Sequence, residues 1–369
     1  MSQESIYVTQ PVLPELEEFI PYLEQIWKNK ILTNGGPLHQ QLEKELCEYL
    51  DVPFISLFNN GTIALVTALQ ALDLQEGSEV ITTPYTFVAT AHSIIWNKLT
   101  PVFVDIDLQT SNIDPAKVEA AITEKTVAIL PVHCYGIPCD VNRLQILADK
   151  YNLKLIYDAA HAFGVKHQGQ SLLNFGDMSI ISFHATKVFN TFEGGAIVCH
   201  TAEMKQRIDQ LKNFGIVNET TISDVSLNGK LSEVHAALGL LQLKTIEKTL
   251  EARNKIDILY RQLLADVEGI YCIDRLNFDK DNCSYFPIVI SEDYPLSRDE
   301  LFNKLKEHNI FARKYFYPLI IELSVYKRFY SNTPNAKKLS EQVLCLPMYP
   351  TLAYKEIQQI INVIKEGLK

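Results

Sequence analysis

FISLFNNGTIALVTALQAL, residues 54–72, decides the fold. Its first five residues are apolar apart from Ser56, and the run is too short for a helix, so it predicts a strand. Asn59-Asn60-Gly61-Thr62 breaks the run. Apolar residues then return at helical spacing, at Ile63, Val66, Leu69 and Leu72. A strand without polar alternation is covered on both faces, which is the position of a parallel strand between helix layers.

The same strand-then-helix unit recurs on either side. EVITTP (79–84) leads into a helical stretch at 89–96, and PVFVDI (101–106) follows. TVAILPVH (126–133) and LKLIYDAAH (153–161) flank a polar helix at 140–151. MSIISFH (178–184) and GAIVCH (195–200) complete the series. This alternation predicts an α/β fold with a mostly parallel central sheet between helices. Beyond about residue 230 the rhythm changes. A long helix runs from 231 to near Gly269. A strand (283–290), a helix (297–308), a strand (309–316), a turn at Tyr317-Pro318 and a last helix (353–368) come after it. That tail predicts a smaller α+β C-terminal domain. We therefore divide the chain into 1–245 and 246–369, with the N-terminal helix 14–29 assigned to the small domain or to an interface.

The 369 residues carry 34 basic and 44 acidic side chains, a net charge of −10, with no basic block, which argues against nucleic acid as a partner. No stretch reaches the roughly 18 apolar residues a membrane span requires. Residues 1–19 do not have the basic and apolar regions of a signal peptide, so a cytoplasmic location is expected. The cysteines (47, 134, 139, 199, 272, 283 and 345) are scattered without a CxxC pair and read as free thiols, and no metal site is expected.

Three features fall at strand ends, where open α/β sheets place ligands. Asn60-Gly61-Thr62 opens a helix, where free amides and the helix dipole favour a phosphate; the plain alternative is an N-cap with a turn glycine. There is neither GxxxxGK[ST] nor GxGxxG after a strand, so no ATP loop or dinucleotide fingerprint competes. Asp158 ends an apolar strand. It is either a helix cap or the partner of a cation, such as the protonated pyridine nitrogen of pyridoxal phosphate. Lys187 follows SFHAT (182–186) in a segment poor in other charge, and a lysine there can lose its proton and form an imine with an aldehyde. Ser182 can reach a phosphate oxygen.

Taken in order, these features closely resemble the nucleotide-sugar aminotransferases of the aspartate-aminotransferase fold (fold-type I). The resemblance runs from LTNGGP (32–37) to the last helix through NNGTIAL, TTPYTFVATAHS, PVFVDID, ILPVHCYG, DAAHAFG, FGDMSIISFHATK, EGGAIV and LNGKLSEVHAALGLLQL. It implies an aspartate-aminotransferase-like large domain, pyridoxal 5′-phosphate as cofactor and Lys187 as the catalytic lysine that holds it. It implies further that Asp158 pairs with the ring nitrogen, that Phe87 stacks on the ring, and that Gly61, Thr62 and Ser182 bind the phosphate. Asn228, in LNGKLSE, resembles the asparagine that such enzymes extend to the neighbouring subunit's phosphate, so a homodimer with shared active sites is implied. Many relatives have glutamine three residues after the aspartate; here it is His161, which can make the same hydrogen bond to the ring hydroxyl.

The resemblance also implies L-glutamate as amino donor and a dTDP-linked 4-keto-6-deoxyhexose as acceptor, giving a dTDP-4-amino-4,6-dideoxy sugar of the kind used in lipopolysaccharide O-antigen synthesis. The SFHATK…EGG form is similar to members that aminate carbon 4. Members acting on carbon 3 of a dTDP-3-keto-6-deoxyhexose more often have SFYPGKN, and carbon 3 is the alternative. Family dehydratases replace the lysine with histidine, so Lys187 favours transamination. Thr33, His184, Lys230, Arg313, Tyr315 and Tyr317 are the substrate-binding candidates. A desulfurase or lyase using the same cofactor would share Asp158 and Lys187 but not EGG or LNGKLSE. A regulatory relative without activity would have lost a cofactor position, and none is missing.

Overall fold

A computed structural model describes residues 5–275 and 278–368. Seven strands make the central sheet: β1 (Phe54–Phe58), β2 (Glu79–Thr82), β3 (Thr100–Phe103), β4 (Thr126–Ile129), β5 (Lys154–Asp158), β6 (Met178–Ser182) and β7 (Gly195–Cys199). Their order is β1-β7-β6-β5-β4-β2-β3. The run from β6 to β3 is parallel, and β7 is antiparallel to both of its neighbours. Four of the five β1 residues are buried, as their unbroken apolar character requires.

Helices cover both faces. Helix α1 (Leu16–Asn29) and α2 (Pro37–Leu50) pack on one side, with Ile26, Leu42 and Leu46 in the same core as Ile55 and Leu57. Helix α3 (Gly61–Ala71) and α4 (Val88–Trp96) follow β1 and β2, and α3 packs Ala64, Ala68 and Leu69 against Ile180 and Ile197 on the other side. The N-terminus of α2 is capped from far along the chain. Buried Glu233 accepts the Leu38 and His39 amides at 3.0 and 2.8 Å. Leu38, Leu42, Leu46 and Leu50 recur every fourth residue and are all buried, a helical pattern that the reading from sequence passed over.

A 32-residue helix, Glu233–Leu264, joins the two lobes. Ile246 and Leu250 belong to the core under the large sheet, whereas Ile256, Tyr260 and Leu264 belong to a second core. That second core lies between this helix, an antiparallel sheet of β8 (Ile270–Cys272), β9 (Phe286–Ile290) and β10 (Val343–Leu346), and the helices Arg298–Glu307 and Tyr354–Glu366. The N-terminal segment crosses to this lobe, where Ile6–Tyr7 pairs in parallel with Ile310–Phe311. Two expected strands are shorter than predicted. Cys283–Tyr285 is irregular because Asn282 and Ser284 turn to bond the His161 carbonyl at 2.8 and 2.7 Å. After Phe311 the chain keeps only one bridge, Arg313 with Cys345, before it turns toward the large sheet.

Candidate active site

Three strand ends meet at one edge of the sheet. Asp158 closes β5 and Ser182 closes β6. Gly195 opens β7, level with both Ser182 and Phe58. The register leaves no room for a side chain there: a Cβ on Gly195 would lie 2.7 Å from the Gly61 nitrogen and the Asn60 carbonyl carbon. The glycine pair of EGG therefore lets β7 start directly beneath the Asn60-Gly61 turn. A Cβ on Gly61 would in turn lie 3.2 Å from the Ser182 Cβ.

The pocket formed at this edge has a volume of about 290 Å3. It is lined by ten of the residues singled out from the sequence: Gly61, Thr62, Phe87, Asp158, His161, Ser182, His184, Lys187, Arg313 and Tyr315. Four others lie outside it within the single chain. Thr33 is exposed ahead of α2 and Asn228 is exposed beside Asn213. Lys230 donates to Asn213 Oδ1 at 2.7 Å and lies over the Phe214 ring, and Tyr317 packs against the Arg298 guanidinium.

At the helix start, Asn60 Oδ1 accepts the Ile63 amide at 2.8 Å. The amides of Gly61 and Thr62, in the first turn, have no acceptor within the helix, and both residues line the pocket together with Ser182. The N-cap reading and the phosphate reading are thus both served by one turn, Asn60 doing the first and Gly61-Thr62 available for the second.

Asp158 is 5% exposed and has no cation within ion-pair distance among the described residues. Its carboxylate accepts from Thr90 Oγ1 at 2.7 Å and from the Ala160 amide at 3.1 Å. Burial raises its pKa; those two hydrogen bonds and the charge of Lys187 act the other way. Lys187 sits on the turn after β6 with Nζ donating to Tyr285 Oη at 3.1 Å. Burial lowers its pKa to about 8, opposed by Asp158 and Tyr315.

His161 is held by its Nδ1, which accepts the Tyr135 amide at 3.1 Å. A neutral imidazole that accepts at Nδ1 carries its proton on Nε2. Burial, aided by the Lys187 charge, holds its pKa well below the ordinary histidine value, so the ring is neutral. It presents one N–H donor, as the glutamine amide of relatives would. Phe87 is 58% exposed at the N-cap of α4, an aromatic face open to the pocket. His184 lies at the mouth, its Nε2 3.6 Å from Glu193.

Three residues with parts in this arrangement were not identified from the sequence. Thr90 gave a faint signal, standing one turn into α4 after Thr86, with which it shares a 2.9 Å hydrogen bond. Tyr285 and Tyr135 gave none, since their roles come from a break in β9 and from a backbone amide.

The sequence matches the DegT/DnrJ/EryC1/StrS aminotransferase family over residues 15–365. The chain belongs to this family, and is therefore an aminotransferase with pyridoxal phosphate as cofactor. It is 57% identical over 366 residues to the dTDP-4-amino-4,6-dideoxy-D-glucose transaminase of Shigella dysenteriae, covering 99% of both chains. It is 52% identical over 371 residues to the enzyme of the same name from Escherichia coli, again covering 99% of both. Among solved structures, DesI in the presence of its TDP-sugar product superposes with a TM-score of 0.94 at 32% identity, covering all of this chain and 94% of that one. Helicobacter pylori PseC superposes with a TM-score of 0.93 at 27% identity, covering 99% of both.

Proposed function

We propose that this enzyme transfers the amino group of L-glutamate to carbon 4 of a dTDP-linked 4-keto-6-deoxyhexose, giving a dTDP-4-amino-4,6-dideoxy sugar. The observation that carries the reading is the full-length 57% identity to a transaminase named for that product, joined to a pocket whose residues fit the cofactor. The fit rests on Asp158, a buried carboxylate without a cationic partner among the described residues, lining the same pocket as a lysine with a lowered pKa.

In this reading Asp158 holds the proton of the cofactor's ring nitrogen, Phe87 covers one ring face and His161 donates from Nε2 to the ring hydroxyl. The Gly61 and Thr62 amides and the Ser182 hydroxyl hold the phosphate. When bound, pyridoxal phosphate supplies the electron sink that makes a carbon beside nitrogen acidic. Lys187, half neutral near pH 8, accepts the proton lost from the α-carbon of glutamate. In the second half reaction it returns a proton to the sugar carbon that receives the nitrogen. Arg313, Tyr315 and His184 stand at the pocket mouth, where the sugar and its diphosphate enter.

Two separate cores support two lobes, with the changeover between Leu250 and Ile256 rather than at 245/246. The division into a cofactor-binding lobe and a smaller C-terminal lobe belongs to the same proposal. So does a two-fold dimer with shared sites. Its support is that Asn228, Lys230 and Thr33 stay outside their own chain's pocket, while the hairpin Ile216–Ile222 and helix α1 expose Ile222, Leu16 and Trp27. A cytoplasmic location and a role in O-antigen synthesis follow from the substrate class. Among the described residues, no helix is long and apolar enough to cross a membrane.

The test is mass spectrometry of cofactor-loaded protein with glutamate and dTDP-4-keto-6-deoxyglucose, alone and with a 3,4-ketoisomerase. An amino sugar formed without the isomerase supports carbon 4. Product only with the isomerase moves the amine to carbon 3, and no product in either case discards the sugar.

A further inference from the structure

Two buried tyrosines join the cofactor wall to the segment that closes the pocket mouth. Tyr85 and Tyr135 are fully buried. Tyr85 lies in the turn that also carries Phe87, and Tyr135 in the turn whose amide holds His161. Their hydroxyl oxygens are 2.5 Å apart. Both reach the backbone carbonyl of Tyr315, Tyr85 at 2.9 Å and Tyr135 in a shorter contact.

The carbonyl can only accept, so two protons serve three oxygen–oxygen contacts. The close approach of the two hydroxyls requires a proton between them, which leaves a chain: one tyrosine donates to the other, and the second donates to the carbonyl. Either order satisfies the partly buried carbonyl. The rings add to this, with Tyr135 parallel to Phe316 at 6.3 Å and Tyr85 edge-on to Phe316 at 5.6 Å. Arg313 is fixed just upstream by its backbone pairing with Cys345. The carbonyl of Tyr315 is thus the point at which the small lobe's segment is fastened to the large lobe, between Arg313 and Tyr317.

We propose that Tyr85 and Tyr135 are positioning residues for the amino-acceptor substrate: they hold the 313–317 backbone so that Arg313 and Tyr315 face the cofactor pocket. Neither hydroxyl lines that pocket, so they act through the segment they fasten. The inference rests on the function proposed above for the identity of the acceptor, and not for the latch itself.

The experiment compares cofactor-loaded wild type with Tyr85→Phe, Tyr135→Phe and the double variant by hydrogen exchange and steady-state kinetics. Because each hydroxyl can reach the carbonyl alone, each single variant is expected to raise exchange at Lys314–Tyr317 and the KM for the keto sugar only about twofold to fivefold, the size of one neutral hydrogen bond. The double variant is expected to exceed the product of the singles, with kcat within about threefold of wild type and cofactor absorbance retained, since the Tyr135 amide that holds His161 is unchanged. Unchanged exchange in the double variant overturns the latch. Faster exchange with an unchanged KM overturns the positioning role and leaves the pair purely structural. If wild type turns over no keto sugar, the acceptor reading fails by itself, and the exchange data still decide the latch.

Discussion

The ε-amine of Lys187 lies 3.1 Å from the hydroxyl of Tyr285 and forms no ion pair with Asp158, although both line the same pocket. A carboxylate at that distance would keep the lysine protonated. A phenol can accept from the ammonium and donate to the amine, so it accommodates both forms.

The amine of Lys187 is accordingly expected to titrate near pH 8 in cofactor-free protein, against about 10.4 for an exposed lysine. Competitive acylation read by mass spectrometry measures this directly. A labelling midpoint above pH 10 would contradict it. The linkage has a definite sign: between pH 8 and about 10.4 the unfolded chain binds more protons at this site than the folded one, so Lys187 makes apo-protein stability rise with pH across that window.

Asp158→Asn keeps the shape of the side chain and loses its charge. Amides cannot hold the ring-nitrogen proton, so kcat is expected to fall by about 100-fold or more while the melting temperature changes little or rises, because a buried unpaired charge has been removed. Stopped-flow kinetics with glutamate alone and a thermal melt without cofactor separate the two effects. A kcat near wild type would remove Asp158 from the chemistry.

His161→Gln retains one acceptor for the Tyr135 amide and one donor for the pocket, so cofactor affinity is expected to stay within about threefold. His161→Leu leaves the buried Tyr135 amide without a partner and removes the donor. The expected loss is about 1–3 kcal/mol, or roughly 5- to 150-fold in cofactor dissociation constant measured by fluorescence. Equal affinities for the two variants would show that the hydrogen bond contributes nothing.

Gly195→Ala sets a methyl 2.7 Å from the backbone of Asn60 and Gly61. Backbone cannot swing aside as a flexible side chain does, so the phosphate turn must move or the strand must start later. The expected cost is about 1–3 kcal/mol in chemical denaturation, accompanied by weaker cofactor retention. Gly61→Ala, with its Cβ 3.2 Å from Ser182, should be milder in stability but comparable in cofactor retention, because the methyl enters the phosphate space itself.

Much of this arrangement was legible in the sequence for a physical reason. Gly61, Asp158, Ser182 and Lys187 all stand next to apolar runs, and strand ends are the part of an α/β fold that periodicity locates best. Residues whose parts depend on tertiary placement were not legible. Tyr285 reaches Lys187 because β9 begins at Phe286, three residues later than predicted, and Tyr135 serves the site through its main chain. Helix α2 has its N-terminal amides satisfied by Glu233, nearly 200 residues away in sequence, so no side chain next to its start caps it, and Pro37 at the first position was the one local signal. The C-terminal half was read less completely than the first, since β10 and the turns at 320–329 carry short apolar runs that strands and loops share.

The helix Glu233–Leu264 is one unbroken rod of roughly 48 Å, from the rise of 1.5 Å per residue. Its first half is seated in one core and its second half in the other. For protein engineering this fixes where relatives can be recombined. A chimaera spliced at 245/246 would join half-helices from two parents and set Ile246 and Leu250 of one parent against the large-lobe core of the other. A splice after Leu264, in the turn that ends at Gly269, would transplant the 313–317 segment on an intact β-sheet and keep the rod whole, and it moves the mismatch to Ile256, Tyr260 and Leu264 against the second core.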